Sequence, residues 1–187
     1  MRKRFAVLSA AALLALSPAL SGCSKPAESS ATTPPPVKVV EPPAASAGGA
    51  CILWDWGFIE EKIGHRFSVA ASDQVDETST CVVQDVDQPW PDLSLSVVET
   101  TKADPALFLD ARMPAKATKL KGLGKAAYRL NSKAASGHGP TVEIGWLSGA
   151  KQLQTLRFRF AQGAKADEVK EMNTKLLNLA KAMDTTS

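Results

Sequence analysis

Three runs of this chain alternate apolar and polar residues with a period of two, and that alternation restricts the fold to a sheet with one buried face. Leu93, Leu95 and Val97 are separated by Ser94 and Ser96; Val142, Ile144 and Trp146 share the spacing; Leu156, Phe158 and Phe160 are separated by Arg157 and Arg159. Successive side chains of a strand point to opposite faces, so each run predicts a half-buried strand. Shorter strand candidates lie at 66–71, 80–85 and 126–130. The turn residues Ser148, Gly149 and Ala150 between the last two alternating runs predict a hairpin.

Helical periodicity flanks these strands. Ile52, Trp56, Ile59 and Ile63 recur at spacings of four, three and four, placing them on one stripe, and Gly64 is suited to end that helix in a left-handed conformation. Asp104 followed by Pro105 predicts a second helix, because Asp caps free amides and Pro fits the first helical position; Pro114 ends it after Leu107, Phe108 and Ala111. A long closing helix turns Val169, Met172, Leu176, Leu179, Ala180 and Met183 inward, with Lys170, Glu171, Lys175 and Lys181 outward. The expected order is α-β-β-β-α-β-β-β-α: an α+β domain over 51–187, with an antiparallel sheet of about six strands and helices packed on one face.

The N-terminus carries an address. Arg2, Lys3 and Arg4 precede an apolar run from Phe5 to Leu20, which closes on Leu20, Ser21, Gly22 and Cys23. This resembles a bacterial lipoprotein signal, so residues 1–22 are expected to be removed and Cys23 to become the lipidated first residue. The apolar run falls short of the roughly 20 residues that cross a bilayer, and Pro18 interrupts it. The expected location is the exported face of a bacterial membrane, reached through N-terminal acyl chains. Residues 23–50 are rich in Ala, Ser, Thr and Pro and predict a disordered tether spanning about 30 Å.

Removing the three signal bases from 22 Lys and Arg leaves 19, against 19 Asp and Glu. The mature chain is formally neutral, so its charge gives no argument for a nucleic-acid partner or for electrostatic attraction to anionic lipid. With Cys23 assigned to lipid, Cys51 and Cys81 remain as an even pair in an exported chain, and a disulfide is expected between them. His65 and His138 stand in no metal-ligand spacing, and no metal or other cofactor is expected.

The run Gly122, Leu123, Gly124, Lys125, Ala126, Ala127 has the spacing of a dinucleotide fingerprint, but no buried strand precedes it and no helix follows, so it reads as a turn. Together with Tyr128, the lipobox, the Pro/Ala/Ser tether, the cysteines at 51 and 81 and the closing Ala/Leu/Lys helix, this segment resembles a family of bacterial cell-envelope lipoproteins of unknown function, best known from actinobacteria. The resemblance implies no catalytic residue.

Trp54, Phe58 and Trp90 are the candidate binding residues: the first two are four apart on a second face of the first helix, and Trp90 lies between two prolines. Trp56 and Trp146 fall on predicted apolar faces and read as core. Asp55, Glu60, Glu61, His65 and His138 supply acids and bases without a nucleophile motif, and the acids between Asp73 and Asp92 read as solvated loop charge. The expectation is a non-catalytic, membrane-anchored domain that binds an envelope protein, a cell-wall component or a small ligand. The alternatives are an envelope hydrolase using carboxylate and histidine chemistry, and a purely structural lipoprotein.

Overall fold

In the computed structural model, which describes residues 42–135 and 137–184, the chain forms an α+β fold around a seven-stranded antiparallel sheet. The strands are β1 (Val69–Val75), β2 (Thr78–Asp85), β3 (Gln88–Glu99), β4 (Thr118–Leu120), β5 (Ala126–Ser132), β6 (Thr141–Leu147) and β7 (Gln152–Arg159). Their spatial order is β1-β2-β3-β7-β6-β5-β4. The first three strands form one meander and the last four another. The two join where β7 pairs with β3, so the alternating runs recognised in the sequence are the three central neighbours.

Those runs direct Leu93, Leu95, Val97, Val142, Ile144, Trp146, Leu156 and Phe158 into one core with Ile59, Ile63, Leu176 and Leu179. The last four come from α1 (Trp56–Ile63) and α3 (Ala166–Asp184), which lie together on that face. The third helix, α2 (Pro105–Ala111), departs from the expected single helical layer. It packs on β5 through a separate cluster of Phe108, Ala126, Tyr128 and Leu147, residues that alternate out of phase with Ala127 and Trp146 of the main core. The opposite face is apolar at that end, with Val98, Leu153, Leu147 and Ala126 in one cross-strand row, and α2 covers it.

Local signals account for the helix ends. Asp104 accepts from Leu107 N at 2.8 Å with Pro105 in the first turn. Gly64 ends α1 at φ 75°, and a Cβ there would sit 2.9 Å from the Lys175 ammonium. The helix predicted from Ile52 starts only at Trp56, because Asp55 takes the capping position and accepts from Gly57 N and Phe58 N. Ile52, expected on the buried stripe, is 67% exposed.

The chain before α1 corrects the domain boundary. Of the residues placed in the tether, Ala44–Ala47 form one 3-10 turn and Gly49 and Ala50 open a second, Gly49–Leu53, with Ala44, Ala50 and Cys51 buried. The Ser72 hydroxyl donates to Ala47 O, and the Trp56 indole donates to Pro42 O at 2.9 Å. Small residues let this segment lie close against β1 and β2, and the Cys51–Cys81 disulfide, with Cα atoms 4.9 Å apart, fastens it. The folded unit therefore begins before residue 51. Cys23 and the lipobox lie outside the described residues.

Candidate functional site

The face of the sheet opposite α1 and α3 is a lattice of polar side chains. Across the strands from β2 to β5 the register sets three rows. The first is Gln84, Asp92, Arg159, Thr141 and Ser132. The second is Val82, Ser94, Arg157, Glu143 and Leu130. The third is Thr80, Ser96, Thr155, Gly145 and Tyr128. Because these positions alternate with core residues, the sequence that builds the hydrophobic layer also fixes this surface.

Two arginines on β7 organise the lattice. Arg157 donates from Nε and Nη2 to Glu143 Oε2, at 2.9 and 2.7 Å. Arg159 donates from Nε and Nη2 to the two oxygens of Asp92. The carboxylate side chains are buried, at 8% and 3% exposure, whereas the arginine side chains are 47% and 30% exposed. A buried carboxylate needs such a partner, and the fork-shaped guanidinium supplies paired donors while keeping its outer edge in water.

Tyr128 completes the second row diagonally. Its hydroxyl donates to Glu143 Oε1 at 3.0 Å, and its ring lies over Gly145, where a Cβ would come within 2.4 Å of the ring. Burial, followed by the adjacent Glu143 charge, pushes the phenol well above its ordinary ionisation range. The ring also stacks on Phe108 of α2, with centroids 6.0 Å apart. Tyr128 is thus a neutral donor joining the α2 cluster to the polar lattice.

Between Arg157 and Arg159 on one side and the hydroxyls of Thr80, Ser94 and Ser96 on the other runs a shallow groove of 280 Å³. Trp90 stands beside it, with the Arg159 guanidinium 4.5 Å from its ring centroid and the His138 ring at 5.1 Å. Arginine over an indole face is an attractive pairing that also holds the ring in place.

The three aromatic residues proposed as a binding set do not meet. Trp54 is 2% exposed and belongs to the core on the other side of the sheet. Phe58 is half-buried against that same core. The site proposal fails for these two: Trp54 precedes α1, as the extended residue that closes the second 3-10 turn, and both side chains pack on the core instead of forming a patch. Trp90 alone stays at the surface. The residues beside it, Arg157, Arg159, Asp92 and Glu143, were readable only as the polar phase of an alternating strand, or in the case of Asp92 as loop charge.

The histidines separate as well. His65 Nε2 lies 3.1 Å from Asp85 Oδ2, each side chain about one third exposed, and His65 borders a 440 Å³ cleft beside α3. Among the described residues, the cleft wall carries no serine, threonine or cysteine. Among the described residues, no group of three or more histidine, cysteine or acidic side chains is placed to hold a metal.

No protein-family model matches the chain, and no curated protein does. A solved crystal structure of a protein from Bacteroides thetaiotaomicron VPI-5482 matches 57% of this chain at 12% identity, with a TM-score of 0.35. The match covers 41% of that protein's chain, and a likeness this distant carries no argument about function.

Proposed function

We propose that the protein is a lipid-anchored envelope protein whose domain binds an extended, hydroxyl-rich ligand of the cell wall without transforming it. The observation that carries this reading is the uncovered groove on the polar face, where fixed guanidinium edges and hydroxyls stand beside an indole ring. A glycan strand presents alternating hydroxyls and apolar ring faces. Paired planar donors match vicinal hydroxyls, and an indole face matches the apolar side of a sugar ring. The ion-paired lattice is already neutralised, which suits an uncharged polar ligand better than a strongly charged one. The resemblance to actinobacterial-type envelope lipoproteins and the Cys51–Cys81 disulfide support an exported location.

Binding of the full chain to purified cell-wall glycan, followed by co-sedimentation, tests the reading. Trp90→Ala and Arg157→Lys are expected to weaken retention several-fold while the far-ultraviolet dichroism stays unchanged. Retention equal to wild type in both variants, or no retention of the wild type, overturns it. Anchoring is tested separately: Cys23→Ala should move the protein from the membrane to the soluble fraction.

The His65–Asp85 pair favours a second reading, hydrolysis with His65 activating water beside the α3 cleft. Release of products from wall polymer, lost in His65→Ala, would support it.

A further inference from the structure

The formal neutrality of the mature chain conceals a separation of charge along the sheet. From residue 67 to 101, which includes β1, β2 and β3, there are seven acidic residues and no lysine or arginine. From 111 to 142, which includes β4 and β5, there are seven basic residues and no acid. The strand order puts these two stretches at opposite edges, with β7 and β6 between them. Six interstrand steps of about 4.8 Å separate the edges by about 29 Å. That is about three Debye lengths at 0.1 M salt, so a body touching one edge feels its charge and not the neutral total.

The basic edge is built on a short strand and its neighbour. Lys119 stands on β4 opposite Tyr128, and Arg129 lies on β5 opposite Thr118. Lys121 and Lys125 occupy the turn between the strands, while Lys116 and Lys133 lie at the other end, before β4 and after β5. Arg112 and the five lysines are exposed and Arg129 half-exposed; among the described residues none of the seven forms an ion pair. The nearby acids are otherwise engaged in part: Asp184 accepts from Gly124 N and Asp104 caps α2, which leaves Asp110 on α2. A lysine on an edge strand also discourages edge-to-edge pairing, which accounts for Lys119 but not for the lysines in the turn and beyond β5.

We propose that the β4–β5 edge is a docking surface for anionic phospholipid headgroups, which holds the anchored domain with its acidic edge away from the bilayer. The proposal rests on the lipid-anchored reading, since a tether from Cys23 keeps the domain within reach of a lipid surface. Acyl anchoring combined with a basic patch is a mutually reinforcing pair of membrane signals. Phospholipid is favoured over a second copy of this chain because the cations spread over both ends and the middle of the edge, a strip about 20 Å long at strand rise, which suits an extended charged surface.

The test is amine footprinting of the full chain on vesicles of neutral phosphatidylcholine, and on vesicles that also contain phosphatidylglycerol. Acetylation of Lys119, Lys121, Lys125 and Lys133 is expected to slow several-fold on the anionic vesicles only, and to recover in high salt; Lys151, Lys165 and Lys170 serve as controls. The variant K119E/K121E/K125E should abolish the protection at Lys133. Equal labelling on both vesicle types overturns the proposal. Protection that grows with protein concentration in the absence of vesicles also overturns it, assigning the edge to a second copy. Failure of the anchor reading is distinguishable: the full chain would then not stay with neutral vesicles, while the contrast between vesicle types would still report on the basic edge.

Discussion

The Tyr128 hydroxyl reaches Glu143 Oε1 at 3.0 Å only because the residue beneath its ring, Gly145, has no side chain. The phenol and the Arg157 guanidinium together solvate a carboxylate that is 8% exposed, so one missing methyl group on β6 holds the polar lattice in place. Gly145→Ala is expected to displace the ring and strip a donor from Glu143, at a cost of about 2–4 kcal/mol from overpacking and a lost hydrogen bond to a charged group. In a Tyr128→Ala background the same substitution should cost far less. Denaturant unfolding of the two single variants and the double variant measures this coupling.

Tyr128 is the sole tyrosine of the chain, so its ionisation can be followed directly by phenolate absorbance. Its folded phenol ionises above the unfolded value because burial and Glu143 disfavour the phenolate. The native state therefore holds the proton more tightly. Its stabilising contribution is complete below the unfolded value of about 10 and is lost as pH rises from there towards the folded value. Native protein should show no phenolate at a pH where urea-unfolded protein is already half ionised. Tyr128→Phe should remove the part of the alkaline stability loss due to this group.

The Cys51–Cys81 disulfide closes a 30-residue separation and fastens the 3-10 turns against β1 and β2. Its removal by the double serine substitution should cost about 3.5 kcal/mol in the chain-entropy account. The segment around Ala44 and Ala50 should become sensitive to protease before the sheet does, since it lacks the strand ladder that holds the sheet together. Chemical denaturation and limited proteolysis with mass mapping of the cut sites check the two expectations.

Much of this architecture was legible because its signals are local. Alternation in 93–97, 142–146 and 156–160 marked the three central strands, Asp104-Pro105 opened α2 as expected, and the period of the last helix is regular. What escaped depended on partners distant in sequence. The strand Thr118–Leu120 is too short to show a period and exists through pairing with 127–129. Residues 44–50 have the composition of a tether, and the disulfide, close packing on β1 and β2 and hydrogen bonds from Ser72 and Trp56, all to partners distant in sequence, order them. In the site, Arg157 and Arg159 were visible as the outward phase of a strand, yet their carboxylate partners come from β6 and β3, up to 67 residues away. The charge segregation was present in the linear order of Lys and Asp, but it acquires spatial meaning only once β7 is seen to pair with β3.

Trp54 and Trp90 provide the sharpest contrast between a tryptophan that holds the fold and one that stands at a site. Trp54 is 2% exposed within the main core, so Trp54→Ala should cost about 3–5 kcal/mol and lower the melting temperature markedly. Trp90 is only partly buried, and its contacts are the Arg159 guanidinium and the His138 ring on the polar face. Trp90→Ala removes a cation–π contact of about 0.5–1 kcal/mol at a partly exposed position, too little to unfold the domain. Its effect should appear in ligand retention, because an aromatic anchor beside a polar groove contributes far more to binding than to folding. Thermal melts run beside wall-glycan retention should therefore rank the two variants in opposite orders. If Trp90→Ala lowers stability as much as Trp54→Ala does, the indole is a structural member of the sheet and the groove loses its aromatic wall.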